Sequence, residues 1–259
     1  MAAGDNPAHF YDELAPVYHQ LYPDWAAACA VQGDALHGLL CRSQGPGPHR
    51  ILDAAVGIGT QLIGLAAHGH EICGTDISRG AVRRARAECA QRHRVGAVGV
   101  ADLRSLPFAD ASFDAVVCAD NAVAHLMSGD GVTGALREMR RVTRPGGVLL
   151  VSTRDYDQAR QLHPTGTPPQ VWVAPGGPVS VAFQVWDWRG DGKRYDLQHF
   201  HLVGSGDDWR VARRTTCCWA ITRDELTDCA RQAGLASLTW LLPAESGFFQ
   251  PLLMARVAD

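Results

Sequence analysis

The sequence predicts an α/β fold: an N-terminal helical cap, a mostly parallel seven-stranded sheet, and an antiparallel β insertion after the fifth strand. Apolar runs without alternation recur between amphipathic stretches from residue 50 to residue 152, which is typical of a parallel sheet covered on both faces. Residues 171–220 change to period-two alternation interrupted by glycine-rich turns. A chain of 259 residues, 46% of them hydrophobic, can form one such domain with an insertion.

The first 42 residues are predicted to form the helical cap. We expect residues 1–10 to be frayed, and apolar residues at helical spacing predict two short helices on either side of Pro23. Residues 43–48 are rich in Ser, Gly and Pro and predict a linker into the first strand.

Strands and helices then alternate along the predicted core. Strands are predicted at 50–54, 71–75, 95–100, 114–119 and 148–152, and helices at 59–68, 78–92 and 130–143. Ser78 is the expected N-cap of the second of these helices, and residues 144–147 are a turn. A capping box from Thr222 to Glu225 opens a last helix that Gly234 ends, and strands at 236–242 and 248–257 follow. The predicted division is a cap at 1–42, a core at 49–155 and 222–259, and an insertion at 156–221.

Composition excludes several classes of protein. The net charge of -3 argues against a nucleic-acid surface, and no apolar run is long enough to span a bilayer. The eight cysteines show no C-x-x-C spacing, so we expect reduced thiols and no metal site. The N-terminus lacks a signal-peptide pattern, and a cytoplasmic protein is therefore expected.

Two carboxylates and a glycine turn predict a nucleoside site. Asp53 ends the first apolar strand, Gly57 and Gly59 form the turn after it, and Asp76 ends the second strand. Glycines let a ligand approach the backbone, and the second acid can accept hydrogen bonds from ribose hydroxyls. Residues 60–62 hold no third glycine where the dinucleotide fingerprint requires one, so the turn favours a ligand without phosphates.

Several motifs in order resemble the class I S-adenosylmethionine-dependent methyltransferases over nearly the whole chain. They are the segments 53–59, Asp76, 101–108, 113–116 and 144–147. The resemblance implies a Rossmann-like sheet, S-adenosylmethionine as cofactor and a small-molecule substrate. The cofactor-binding residues it implies are Asp53, Ala55, Gly57, Gly59, Asp76, Ile77, Asp102, Leu103, Asp120, Tyr18 and Trp25.

Segments 120–126 and 154–157 resemble the glycine and sarcosine N-methyltransferases. That subgroup implies that Asn121 and Arg154 hold the substrate, the arginine by pairing with a carboxylate. The added charges of Asp120 and Asp155 depart from the subgroup and argue against glycine itself. The same pattern occurs in natural-product methyltransferases that act on amines or on indole rings.

The remaining candidate site residues are side chains that could remove a proton from the substrate or contact it with an aromatic ring. His125, Tyr11 and Tyr22 are the candidate catalytic residues, because an imidazole or phenol can take a proton from the acceptor. Tyr22, Trp186 and Trp188 are candidate substrate contacts. The competing interpretations are a cavity-lining histidine, aromatic residues that only pack the core, and an Arg154 salt bridge to Asp155 or Asp157.

The sequence favours methyl transfer to nitrogen of an amine or amino-acid-like metabolite. The alternative is carbon methylation of an indole or another electron-rich ring. A nicotinamide-dependent oxidoreductase, an RNA or protein methyltransferase and a non-catalytic cofactor-binding protein are further alternatives. No nucleic-acid or membrane partner is expected, and a homo-oligomer is left open.

Overall fold

A computed structural model describes residues 6–91, 97–173, 177–205 and 208–258. Seven strands form one sheet in the order β10-β11-β5-β4-β1-β2-β3. The strands are β1 (Arg50–Asp53), β2 (Glu71–Asp76), β3 (Val98–Val100), β4 (Phe113–Cys118), β5 (Thr143–Ser152), β10 (Ala236–Leu241) and β11 (Leu252–Arg256). Only β11 runs antiparallel to its neighbours. The predicted α/β class with a mostly parallel seven-stranded sheet is confirmed.

The order of this sheet fixes where a ligand can bind. Strands β1, β2 and β3 extend to one side and β4 and β5 to the other, so the connections reverse direction between β1 and β4. In open α/β sheets ligands occupy the crevice outside the carboxyl ends of the strands at such a reversal. Asp53, Asp76 and Asp120 lie at or just after three of these ends.

Helices cover both faces of the sheet, and their apolar sides form its two cores. They are α1 (Pro7–Leu14), α2 (Trp25–Gln44), α3 (Thr60–Ala67), α4 (Arg79–Gln91), α5 (Gly129–Val142), α6 (Tyr156–Leu162), α7 (Arg223–Gln232) and α8 (Pro243–Ser246). Val116 and Val117 of β4 are completely buried, one in each core, which explains the unbroken apolar run of this strand. None of these described helices is long and apolar enough to cross a membrane.

The predicted helix caps are confirmed. The Ser78 hydroxyl accepts a hydrogen bond from the backbone of Ala81 at the start of α4. Thr222 and Glu225 form the reciprocal capping box of α7, which ends before Gly234 at a positive φ of 77°. The end of the predicted 78–92 helix and the start of the predicted 95–100 strand lie outside the described residues.

The N-terminal prediction is wrong in two places. Residues 7–10 are helical rather than frayed, because Asn6 caps α1 and Phe10 and Leu14 are buried in the core. A short 3₁₀ helix, Tyr18–Leu21, separates α1 from α2. Helix α2 continues to Gln44 through part of the predicted linker, and Gly45 with φ of 89° ends it.

Two predicted boundaries near the end of the sheet are also wrong. The predicted turn at 144–147 is part of β5, which begins at Thr143 opposite Phe113 and continues past an irregularity in register. The last strand begins only at Leu252 rather than at 248, because α8 and the buried Phe248 come first.

A second, four-stranded antiparallel sheet forms the predicted insertion. Its order is β6-β7-β8-β9. The strands are β6 (Gln170–Val173), β7 (Val179–Trp188), β8 (Arg194–Ser205) and β9 (Asp208–Trp219). Of the glycine-rich turns predicted within residues 171–220, the one at 204–208 lies partly outside the described residues. The division of the chain into cap, core and insertion at the stated boundaries stays a proposal.

Candidate active site

A cavity lies at the carboxyl ends of β1, β2 and β4, and α1 with the segment after it forms one of its walls. Ten of the predicted site residues line it. They are Tyr11, Tyr18, Ala55, Gly57, Asp76, Ile77, Asp102, Leu103, Asp120 and His125. The topological reversal described above therefore coincides with the cavity, as the strand order requires.

The glycine turn presents bare backbone to this cavity. Gly57 and Gly59 have φ angles of 52° and 100°, in the left-handed region that glycine adopts without strain. A Cβ at Gly57 would meet nothing within 4 Å, so a ligand can lie directly on this backbone. The Gly57 amide also donates to Asp76 Oδ2 at 2.9 Å, which ties the turn to the end of β2.

Asp76 is held in place by backbone donors. Its Oδ1 accepts from the Ser78 amide at 2.8 Å, and its Oδ2 from Gly57. Burial raises the pKa of its carboxyl, and the two backbone donors offset part of that effect. Each carboxylate oxygen can accept more than one hydrogen bond, so the group keeps free acceptor capacity toward a diol in the cavity.

Asp53 lies beneath the glycine turn rather than on the cavity wall. Its side chain is completely buried, and its carboxylate oxygens have no hydrogen-bond partner within 3.5 Å among the described residues. Burial, followed by the neighbouring charge of Asp76, raises the pKa of Asp53 to about 7. The nearby amides of Ala55 and Leu62 oppose this shift without cancelling it. A buried acid with unused acceptors suits a nearby cation.

Asp102 lies at the outer rim of the cavity. It forms an ion pair with Arg104, whose Nη2 lies 2.6 Å from Asp102 Oδ2, and this pairing lowers the pKa of Asp102. Ile77, which is 41% exposed, and Leu103 line the same cavity as apolar side chains. The side chain of Arg104 also lines the cavity, and the sequence analysis did not select it.

Asp120 and Asn121 occupy strained backbone at the end of β4. Their φ angles are 55° and 72°, which side-chain-bearing residues rarely adopt. Asp120 Oδ2 accepts from the phenols of Tyr18 at 2.9 Å and Tyr22 at 3.1 Å. Gln250 Nε2 lies 3.4 Å from its Oδ1. The turn thus fixes a carboxylate on the cavity wall.

Tyr11 and His125 form a hydrogen-bonded pair across the cavity. The Tyr11 phenol oxygen lies 2.9 Å from His125 Nε2, and His125 Nδ1 lies 3.3 Å from the carbonyl oxygen of Cys217. A carbonyl can only accept, so Nδ1 carries the proton and Nε2 accepts from Tyr11. Burial lowers the pKa of His125 to about 4, and the charge of Arg154 adds to the effect. The imidazole is therefore neutral at pH 7.

The groups in direct contact with the Arg154 guanidinium are neutral, although the charge of Asp120 also acts on it. Its guanidinium donates to Tyr195 and Gln184, each at 3.1 Å, and lies 4.7 Å from the centre of the Trp186 ring. Its backbone amide donates to Asn121 Oδ1. The two carboxylates considered as salt-bridge partners of Arg154 have other partners, because Asp157 pairs with Arg223 and Asp155 caps α6. Among the described residues, Arg154 forms no ion pair within 4.0 Å.

Several predicted residues do not line the cavity itself. Trp25 donates to Thr60 Oγ1 at 2.9 Å, and Trp188 donates to the Pro164 carbonyl. The lining also lacks Gly59, Tyr22, Asn121, Arg154 and Trp186. Of these, Tyr22 contacts the lining residue Asp120, and Asn121 and Trp186 contact Arg154.

Around Arg154, the residues that the sequence analysis missed lie on the insertion sheet. Gln184 shares a strand face with Trp186 at a spacing of two, and Tyr195 lies opposite Trp188. That spacing was the one available signal for Gln184. Tyr195 also meets the Tyr156 phenol at 2.9 Å, a contact that no local pattern indicates.

These residues fit S-adenosylmethionine, the cofactor that the resemblance implies. The open backbone at Gly57 leaves room for the ligand, and the free acceptors of Asp76 suit its ribose hydroxyls. The unsatisfied oxygens of Asp53 suit its cationic part, and the apolar Leu103 suits its adenine ring.

Comparison with known proteins places this site in context. Residues 51–147 match the family described as "Methyltransferase domain". The chain is 31% identical over 171 residues to the glycine N-methyltransferase of Rattus norvegicus, covering 61% of this chain and 57% of that protein. It is 41% identical over 103 residues to the demethylmenaquinone methyltransferase of Beutenbergia cavernae, covering 40% of each. The chain thus spans about half the length of these curated relatives or less.

A solved structure shows that the similarity in fold extends further. The sugar N-methyltransferase KedS8 from a Streptoalloteichus species superimposes with a TM-score of 0.77, covering 94% of this chain and 93% of that chain. Sequence identity is 19%, so this likeness concerns the fold alone.

Proposed function

We propose that this chain is a class I S-adenosylmethionine-dependent methyltransferase that methylates a small molecule, and the match of residues 51–147 to the family described as "Methyltransferase domain" supports this. The observation that carries the proposal is the pairing of the Gly57 turn with Asp76 at the cavity wall. S-adenosylmethionine supplies an activated methyl group on a sulfonium, so the protein's share of the work is alignment and desolvation.

The wall residues divide the work of holding the cofactor. Asp76 would accept from the ribose hydroxyls, and Leu103 and Ile77 would contact the adenine ring. Asp120 places negative charge on the cavity wall, and buried Asp53, whose pKa is raised to about 7, would be favoured in its ionised form by the cofactor's cation. Since Asp120 is held by two phenols, its position is fixed before any ligand arrives.

We propose an amine with a carboxylate as the acceptor. The support is the Arg154 guanidinium, which is permanently charged yet surrounded by Gln184, Tyr195 and the Trp186 ring. A planar carboxylate is the strongest partner for such a fork. Asn121, whose side chain already contacts the Arg154 backbone, would complete the same subsite.

Tyr11 would orient the nitrogen of this acceptor. Its hydroxyl proton points to His125, so the lone pairs of the oxygen remain available to the cavity. Burial raises the pKa of the Tyr11 phenol well above its ordinary value, so the group stays neutral and accepts a hydrogen bond from an amine N–H. That contact would direct the nitrogen lone pair, and Tyr22 would act only through Asp120.

A methyl-transfer assay tests the proposal. The protein would be incubated with S-adenosylmethionine labelled in its methyl group and with a panel of amino acids, matched amines without the carboxylate, and indoles. We expect label on the nitrogen of carboxylated amines and weak or no transfer to the decarboxylated matches. Equal transfer to both members of each matched pair would contradict the carboxylate subsite.

One observation favours carbon methylation of an indole as the second candidate. Trp186 stacks on Tyr195 with ring centres 4.8 Å apart, which gives an aromatic surface beside Arg154. A methylated ring carbon must lose a proton, and neutral His125 could receive it through Tyr11. Label on a ring carbon, found by mass spectrometry of the product, would support this candidate over the first.

A further inference from the structure

The outer face of the insertion sheet is apolar and exposed. In register across the four strands stand Val173, Val179, Gly204 and Trp209, and in the next row Val171, Val181, Leu202 and Val211. Phe183 and Phe200 follow, stacked with ring centres 5.2 Å apart. We call these ten residues the outer apolar face.

Exposure distinguishes this face from an ordinary sheet surface. Val171, Val173 and Val211 are each more than 60% exposed, and Trp209 is 50% exposed. Antiparallel sheets with one solvated face normally carry polar side chains on that face. An exposed apolar face on this sheet therefore indicates an interaction surface.

The rest of the described chain packs on the opposite face. Ser180 and His201 both contact Gln20, and Trp172 contacts the His19 ring. Farther along the same face, Trp186 covers Arg154. The inner face is thus occupied by the N-terminal helices and the candidate active site.

The outer face is also smooth. A Cβ at Gly204 would come within 2.9 Å of the Trp209 ring, so this ring lies flat across the strand beside it. Charge is confined to the margins, with Arg213 on the edge strand β9 and Asp187 and Asp196 at the far end. An apolar centre with a polar rim is the anatomy of a protein interface.

We propose that this face is the dimer interface, and that its occupant is a second copy of this chain. Two twisted sheets pack face to face about 10 Å apart, so one copy of the face is the natural complement of another across a two-fold axis. From ordinary side-chain areas, the face exposes on the order of 700 Å², close to the ~800 Å² per partner of a standard interface. An apolar patch of this size is large for a monomer.

The oligomeric state of the full chain tests this assignment. Sedimentation velocity at about 1–50 µM should give twice the 27.9 kDa of one chain. The double variant Val171→Glu, Val211→Glu places one carboxylate on each edge strand of the face, β6 and β9, and should raise the dimer dissociation constant at least about a hundredfold. Both positions are exposed, so the fold should survive.

A matched control makes the result specific. Leu162 on α6 is 68% exposed and Val31 on α2 is 59% exposed, both outside the insertion sheet. The double variant Val31→Glu, Leu162→Glu carries the same added charge and should remain dimeric. As a second readout, the melting temperature of the wild type should rise with protein concentration.

Three results would overturn the proposal. The wild type could be a monomer throughout this range, with or without binding to lipid vesicles or another protein. The dimer could survive the glutamates at 171 and 211. The control variant could dissociate equally, which would indicate a general effect of charge. None of these outcomes depends on whether the chain methylates the proposed substrate.

Discussion

The Tyr11 phenol donates its proton to Nε2 of His125, while Nδ1 of the same ring is held by the Cys217 carbonyl. This arrangement fixes the tautomer of a buried, neutral imidazole beside the cavity. It also makes the two side chains one functional unit, because the direction in which the phenol points depends on the ring.

Tyr11→Phe should lower kcat about 10- to 100-fold and leave the affinity for S-adenosylmethionine nearly unchanged. The reason is that the methyl-accepting substrate loses a hydrogen-bond partner and the cofactor does not. His125→Ala should have a similar effect, and the double variant should be little worse than either single one. Steady-state kinetics and calorimetric titration of all three variants measure this. Losses that multiply in the double variant would show that the two residues act independently.

The acceptor subsite predicts an asymmetric effect of Arg154→Met. The KM for a carboxylated amine should rise about 100-fold, while the KM for the same amine without its carboxylate should change by less than about threefold. Arg154→Lys, which keeps the charge and loses the fork, should fall between wild type and Met. Equal losses for both acceptors would indicate that Arg154 serves the fold alone.

Four histidines near the start of β1 predict acid sensitivity. His70 Nδ1 accepts from the His49 amide at 3.0 Å, so its proton sits on Nε2 and points to His37 Nδ1, also 3.0 Å away. His68 stacks on His37, and Asp34, Cys41 and Asp114 are the other titratable groups in contact. Burial, then the neighbouring histidines, lowers the pKa of His70 to about 4.

The sign follows from proton binding. Between about pH 6.5 and 4, His70 is protonated in the unfolded chain but neutral in the folded chain. The free energy of unfolding therefore has its full value above pH 6.5 and decreases as the pH falls toward 4. His70→Asn keeps an acceptor for the His49 amide and cannot be protonated. From pH 7.5 to 5, the melting temperature of the wild type should therefore fall about 2–4 °C more than that of the variant. Parallel curves would contradict this.

Helices α2 and α3 meet at two glycines. A Cβ on Gly64 would collide with the Cys29 carbonyl and come within 2.8 Å of the Gly33 Cα. Gly64→Ala should destabilise the fold by about 2–4 kcal/mol. As a control, Gly134→Ala on α5 meets open space and should stabilise by about 0.5–1 kcal/mol. Urea denaturation measures both, and equal effects would refute the close contact.

Local patterns explain which features could be predicted from the sequence. The glycine turn and Asp76 lie within 20 residues of one another on consecutive elements, so strand periodicity and turn chemistry were enough to place them. The surroundings of Arg154 could not be predicted this way. Gln184 and Tyr195 reach it from 30 and 41 residues away, through a sheet whose orientation depends on tertiary packing.

Neighbouring charges account for another difference. Asp102 was expected to bind the cofactor, but Arg104 two residues later folds back onto its carboxylate. The sequence shows that Arg104 is near Asp102, but only the side-chain directions in the structure show that the two form an ion pair. Likewise, residues 7–10 carry little periodic signal, and their helix is stabilised by the burial of Phe10 and Leu14.

Calorimetric titration with S-adenosylmethionine tests the central claim most directly. We expect micromolar binding to the wild type, no binding of nicotinamide dinucleotides, and binding about 10- to 100-fold weaker for Asp76→Asn, which loses charged hydrogen bonds to the ribose. Asp110→Asn, on an exposed carboxylate paired with Arg141, is the control and should bind like the wild type. Absence of S-adenosylmethionine binding by the folded wild type, or equal affinity in Asp76→Asn, would contradict the account.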